Sequence, residues 1–133
     1  MKKGKKRIVL EFEMNTCSPS KLWDFIHYAG GLERWIADKV ERNGNALSFT
    51  WGTSYMNKDE KTATVTQEIS EKLFRFKWDD DEDENSYCEI KIEVGEITND
   101  CILVITDFAY DEDIDSLKEI WDENIELLHQ TGL

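Results

Sequence analysis

Apolar and polar positions alternate from the start of the chain. In RIVLEFEM, Ile8, Leu10, Phe12 and Met14 fall on one side of an extended backbone and Arg7, Glu11 and Glu13 on the other, which predicts a half-buried strand. The period then changes. Ser18 is suited to cap a helix, and Pro19 to its first position, where a missing N–H costs nothing. Leu22, Phe25, Ile26 and Ala29 follow at helical spacing and form one apolar stripe. Gly30 and Gly31 are expected to end this helix, because glycine accepts the left-handed cap conformation and weakens a helix interior by about 1 kcal/mol. LERWIAD then has room for a turn or two, packed through Leu32, Trp35 and Ile36, so the glycines are read as the joint of a bent helix pair.

Period-two segments return after the pair. Leu47, Phe49 and Trp51 alternate in NALSFTWG; Ala63, Val65 and Ile69 oppose Thr62, Thr64 and Thr66; Phe74, Phe76 and Trp78 alternate in KLFRFKW. Cys88, Ile90, Ile92 and Val94 oppose Glu89, Lys91 and Glu93, and CILVITDFA is apolar enough for a central strand covered on both faces. Turn residues at 43–45, 57–59 and 98–100 separate these runs, and such short connections imply an antiparallel meander. The chain closes on a long helical pattern in which Ile114, Leu117, Ile120, Trp121, Ile125, Leu127 and Leu128 form a broad apolar face. Asp111, Glu112, Asp113 and Asp115 stand at its start, where the helix dipole favours negative charge, and Gly132 stands near its stop.

Composition narrows what such a chain can do. Its 133 residues suit one domain, residues 1–133, with a basic terminus over residues 1–6 expected to fray. A net charge of -13 alone would suggest disorder, but five Trp, six Phe and four Tyr each bury on the order of 150–250 Å² and argue for a packed interior. The same charge makes nucleic acid and anionic membranes poor partners. No apolar run approaches the roughly 20 residues of a membrane span, and the run after the basic start stops at Glu11, so a cytoplasmic protein without export signal is expected. Cys17, Cys88 and Cys101, odd in number and widely spaced, fit a reducing compartment and small buried side chains.

The order strand, two short helices, meander, long helix fits few architectures, since only the last helix is large enough to cover one face of a curved sheet. SPSKLWDFI, LERWIAD, EKLFRFKW and IWDENIELL, taken in this order and spacing over nearly the whole chain, resemble the START-like superfamily, also called the helix-grip or SRPBCC fold. The branch most resembled is that of the activators of the heat-shock-chaperone ATPase and their bacterial relatives. The resemblance implies an α+β helix-grip fold, a curved antiparallel sheet of about six to seven strands wrapped around a long C-terminal helix, with two short helices after strand one. It also implies a cavity between sheet and helix. Trp35, Phe49, Trp51, Tyr55, Phe76 and Trp78, with Phe108, Leu117 and Trp121, are the expected ligand-binding residues, and Tyr55 and Met56 stand at its mouth. The same aromatics are equally suited to filling a solid core, and the sequence leaves both readings open.

Chemical motifs add little. His27 and His129 stand apart, the cysteines lack zinc spacing, and no nucleophile elbow or phosphate loop is present, so no metal, cofactor or catalytic set is expected. The acidic run at residues 79–84 lacks the glycine and glutamate of a calcium loop, which would fall at Glu84 and Ile90. A solvated hairpin tip is expected there, with loose binding of a cation or a basic partner left open. Asp107, inside an apolar strand, is the carboxylate whose burial would raise its pKa. Three functions follow in order: a non-catalytic module for a small hydrophobic ligand, lipid-like or polycyclic; an acidic protein-interaction or co-chaperone-like module; and an enzyme of cyclase or hydrolase type, which would need Asp107 or Tyr87 directed into the pocket. A monomer or weak dimer is expected.

Overall fold

The computed structural model describes residues 4–15, 18–52, 58–98 and 100–133. Its strands are β1 (Lys6–Glu13), β2 (Lys39–Asn43), β3 (Ala46–Trp51), β4 (Asp59–Ile69), β5 (Leu73–Trp78), β6 (Cys88–Val94) and β7 (Cys101–Ala109). Helices α1 (Pro19–His27) and α2 (Ala29–Leu32) follow β1, and α3 (Ile114–Gln130) follows β7 through a short 3-10 turn at Asp111–Asp113. All seven strands form one antiparallel sheet in the order β1-β7-β6-β5-β4-β3-β2. The helix pair carries the chain from one edge of the sheet to the other, the meander walks it back, and β1 closes against β7.

Register explains which face is dry. Directly opposed residues share a face, so Leu10, Ile105, Ile90 and Phe74 form one row across four strands, and Val65, Phe76 and Cys88 form another. Helix α3 lays Trp121, Ile125 and Leu128 on this face, and α1 lays Leu22, Trp23 and Ile26 on it. The far end of α3 is fastened near β1: the His129 ring contacts the Glu13 carbonyl oxygen at 2.9 Å, and Asn15 N donates to Leu133 O at 2.7 Å.

The α1 start is as expected, with Ser18 Oγ accepting from Lys21 N and Pro19 in the first turn. The break is not where the glycines predict it. Helix α1 ends at His27 because Tyr28 is extended, and Gly30 and Gly31 lie inside α2. Gly31 is needed for close approach: a Cβ there would stand 2.0 Å from the Asp24 carbonyl oxygen, whereas one on Gly30 would meet nothing. The segment after Leu32 is turn rather than helix.

One strand escapes the sequence pattern, and two further expectations are corrected. The seventh strand, β2, has Val40 as its one apolar residue and carries no alternation to read. A β-bulge between Val65 and Gln67 reverses the facing of the rest of β4, so Ile69 points to solvent and Glu68 turns inward beside Phe74. On α3, Ile120 and Leu127 are 52% and 47% exposed and do not join the core. The turn at 43–45 connects β2 to β3, with Gly44 at φ 62°, and Thr98 ends a described turn after β6. Residues 57 and 99 lie outside the described residues.

Candidate functional site

The inward turn of Glu68 creates a polar clamp at the α1 end of the sheet. Arg42 grips Glu68 through two hydrogen bonds of 2.7 and 3.2 Å, donates to the His27 carbonyl oxygen at 2.7 Å and to the Gly44 carbonyl oxygen at 2.9 Å, and lies over the Phe74 ring. One guanidinium thus satisfies the end of α1, the β2–β3 turn and the bulged strand. Hydrogen bonds from Arg42 hold the Glu68 carboxyl below its ordinary pKa, and burial holds His27, stacked on Trp23, below its own. This end of the interior is filled: Phe49, Phe74 and Phe76 are 0 to 1% exposed, and Phe76 makes tilted ring contacts with both of the others.

The other end is open. A cavity of about 730 Å³ lies between the segment after α2, the Trp51 end of β3, the start of β4, Trp78 on β5 and the outer flank of α3. Four indoles wall it, and three are fixed through their N–H groups. Trp35 Nε1 donates to Phe25 O at 2.8 Å, Trp51 Nε1 to Ile36 O at 2.9 Å and Trp121 Nε1 to Asp107 Oδ2 at 3.0 Å. Trp78 is held by contact with Phe49, Trp51 and Phe76. Leu117, Ile120 and Leu127 supply the α3 wall, which accounts for the exposed apolar residues of that helix. The Asn124 amide, turned so that its nitrogen meets Trp35 O, ties α3 to the opposite wall at 3.1 Å.

Of the residues expected to bind ligand, Trp35, Trp51, Trp78, Leu117 and Trp121 line this cavity. Phe49 and Phe76 stand behind it in the core and do not line it. Phe108 is on the convex face, edge to face with Tyr87, which in turn lies under Arg75; neither ring reaches the cavity. The reason is parity: Asp107 takes the inward position of β7, and its neighbour must face out. Tyr55, Met56 and Cys17 lie outside the described residues.

Asp107 is the buried carboxylate at the cavity wall. Loss of water raises its pKa, while Trp121 Nε1 and its neighbour's Phe108 N, donating to Oδ1 at 2.8 Å, pull it partly back. Both oxygens are engaged as acceptors, which suits a group that positions Trp121. Burial pushes the Cys88 thiol well up and keeps it inert in the core. Polar residues that the sequence reading passed over are also present: Glu33 Oε1 accepts from Val40 N, Asp38 Oδ2 accepts from Gly52 N, and Lys61 places its ammonium 4.9 Å above the Trp78 ring. Their signal in sequence is weak, because charged residues at strand ends and in turns are ordinary.

The acidic loop is closed internally. Lys77 Nζ donates to the carbonyl oxygens of Asp83, Glu84 and Ser86 at 2.8 to 3.1 Å, and Lys5 bridges to Asp81 and donates its backbone N–H to Asp83. Hydrogen bonds to the carboxylate, chiefly from Asn85 N and then Lys5 N, hold Asp83 below its usual range. Among the described residues, no group of three His, Cys, Asp or Glu is placed to hold a metal ion, and no helix is long and apolar enough to cross a membrane.

The sequence model for the START-like superfamily domain matches residues 2–132. The solution NMR structure of BfR322 from Bacteroides fragilis is 37% identical, covering 97% of this chain and 92% of its own, with a TM-score of 0.65. A crystal structure of an uncharacterised protein from Bacillus thuringiensis reaches a TM-score of 0.75 at 12% identity, covering 95% and 98%. The Aha1 dimer from Colwellia psychrerythraea aligns at 0.66 and 15% identity, covering 95% and 92%. At such identities these last two show the shared fold. No curated protein sequence matches the chain.

Proposed function

This chain belongs to the START-like superfamily, and from that premise we propose that it is a non-catalytic module holding a small hydrophobic ligand, lipid-like or polycyclic, between the sheet and α3. The observation that carries this reading is the division of the interior. One end is filled by Phe49, Phe74 and Phe76, while the other leaves about 730 Å³ walled by four indoles. That volume is within the usual range of small-molecule sites. Fixed indole N–H groups also matter: rings already ordered lose little rotamer freedom when a ligand packs on them.

The protein-interaction reading rests on a different feature. Ile120 and Leu127 are half exposed on α3 at the rim of the cavity, and the charge of -13 would steer a basic partner. Aha1 of Colwellia is a dimer with the same fold. We rank this reading second, because the two side chains already have an explanation as cavity wall.

The test is extraction of natively purified protein with organic solvent and mass spectrometry of what is released, with denatured protein as control. A stoichiometric apolar compound is the expected result. Absence of any bound compound, together with unchanged tryptophan fluorescence on adding apolar compounds of anionic, neutral and cationic charge, would overturn the ligand reading in favour of protein interaction.

A further inference from the structure

The cavity has a sign as well as a volume. Its lining includes five carboxylate residues, Glu33, Asp38, Asp59, Asp107 and Glu123, against two cations, Arg34 and Lys61. Glu33 and Asp38 are held at the wall by N–H donors, and so is the buried carboxyl of Asp107. Both cations are already spent on aromatic rings: Arg34 lies 5.9 Å from the centre of Phe25, and Lys61 lies 4.9 Å from that of Trp78. Lys61 thereby shows what the Trp78 face accepts. An ammonium sits over an indole that lines the acidic cavity, and Leu117, Ile120 and Leu127 supply the apolar wall of that cavity on α3.

We propose that the ligand of this cavity is an organic cation with an apolar body, an alkylated ammonium or an aromatic amine, whose charged group displaces the Lys61 ammonium from the Trp78 face. This rests on the ligand-binding reading above and gives that ligand its chemical class. An indole face and nearby carboxylates attract an alkylated ammonium, whose low hydration makes it easier to bring out of water than the lysine it replaces. A fatty acid would instead bring a carboxylate into a field of its own sign, with Lys61 as its one counter-ion at Trp78.

The two classes make opposite demands on Lys61. Removing it frees the indole for a foreign cation and deprives an anion of its partner. The experiment titrates decyltrimethylammonium, decanoate and decanol into the full chain, each below its aggregation limit, by calorimetry and tryptophan fluorescence, and repeats the titrations on Lys61→Met and Trp78→Leu. Circular dichroism checks that both variants are folded.

The expected result is one site that takes the trimethylammonium compound about tenfold more tightly than decanoate, the scale of one favourable cation–π contact. Lys61→Met is expected to tighten that binding severalfold, and the charge-neutral Trp78→Leu to weaken it, which general attraction to an acidic protein would not produce. Decanoate binding as tightly as the cation, or Lys61→Met weakening the cation, overturns the cation assignment while leaving the ligand reading intact. Failure of all three compounds to bind overturns both.

Discussion

At the scale of single residues, two adjacent glycines make a contrast that sequence alone cannot draw. A methyl group on Gly31 would collide with the backbone of Asp24 and Phe25, which cannot move without dragging α1, so Gly31→Ala is expected to cost about 1–3 kcal/mol. Gly30→Ala meets open space within a helix and is expected to be neutral or to stabilise by up to about 1 kcal/mol. Urea unfolding of both variants checks this; equal effects would mean that the crossing of α2 over α1 is not tight. Asp107 gives a pH prediction. Its folded pKa is raised above the unfolded value, so between the two the native state binds more protons, and stability falls as pH rises through that window. Asp107→Asn lacks this loss. The variant's stability relative to wild type is therefore expected to improve from pH 4 to pH 7, upward from the ordinary carboxylate value of about 4; a constant difference would contradict the burial of the charge.

At the scale of elements, the Arg42 clamp joins α1, the β2–β3 turn and the bulged end of β4. Arg42→Met is expected to destabilise by about 1–3 kcal/mol, since it orphans Glu68 and a helix-end carbonyl together. Glu68 has a depressed folded pKa, so its contribution is present above the unfolded pKa and lost as pH falls through the folded one. Glu68→Gln should accordingly cost stability at pH 7 and little at pH 2, measured by denaturant midpoints. A penalty unchanged across that range would mean that the charge is not what holds the clamp.

The elements differ in how openly they are written. Strand β1, the capped start of α1 and the stripe of α3 are legible because their signals are local: alternation, Ser18 before Pro19, and helical spacing. Strand β2 is invisible because one apolar residue in KVERN makes no period, and it forms by pairing with β3 across Gly44. The bulge at residue 66 is a two-strand property, and nothing in TVTQEI marks it. The site was half legible for the same reason. Alternation placed Trp51 and Trp78 inward, but whether an inward ring is core or wall depends on how far α3 extends over the sheet, which separates Phe49 and Phe76 from Trp78. The facing of Phe108 is not legible because an almost wholly apolar strand hides its own parity.

At the scale of the whole molecule, structure and charge pull against each other. A net charge of -13 on 133 residues repels itself, and burial at the α1 end must offset that repulsion. The internal clamps on the acidic loop, with Lys77 among three carbonyl oxygens, answer part of it. Moderate salt, which screens exposed charges beyond roughly 8–10 Å, is expected to raise the melting temperature by several degrees; a fall would show that ion pairs outweigh the repulsion. The same division of the interior into a filled end and an open end is the basis of the functional account.

The five indole N–H signals test that account most directly, because four tryptophans line the cavity and Trp23, stacked on His27 and set against Phe74 at the filled end, does not. Two-dimensional 15N–1H spectra, with the indole signals assigned by substitution, would be followed as decyltrimethylammonium or decanoate is added. Saturable shifts of Trp35, Trp51, Trp78 and Trp121 with Trp23 unmoved are the predicted result. No shift with either compound, or shifts spread evenly over all five, would contradict a binding cavity between the sheet and α3.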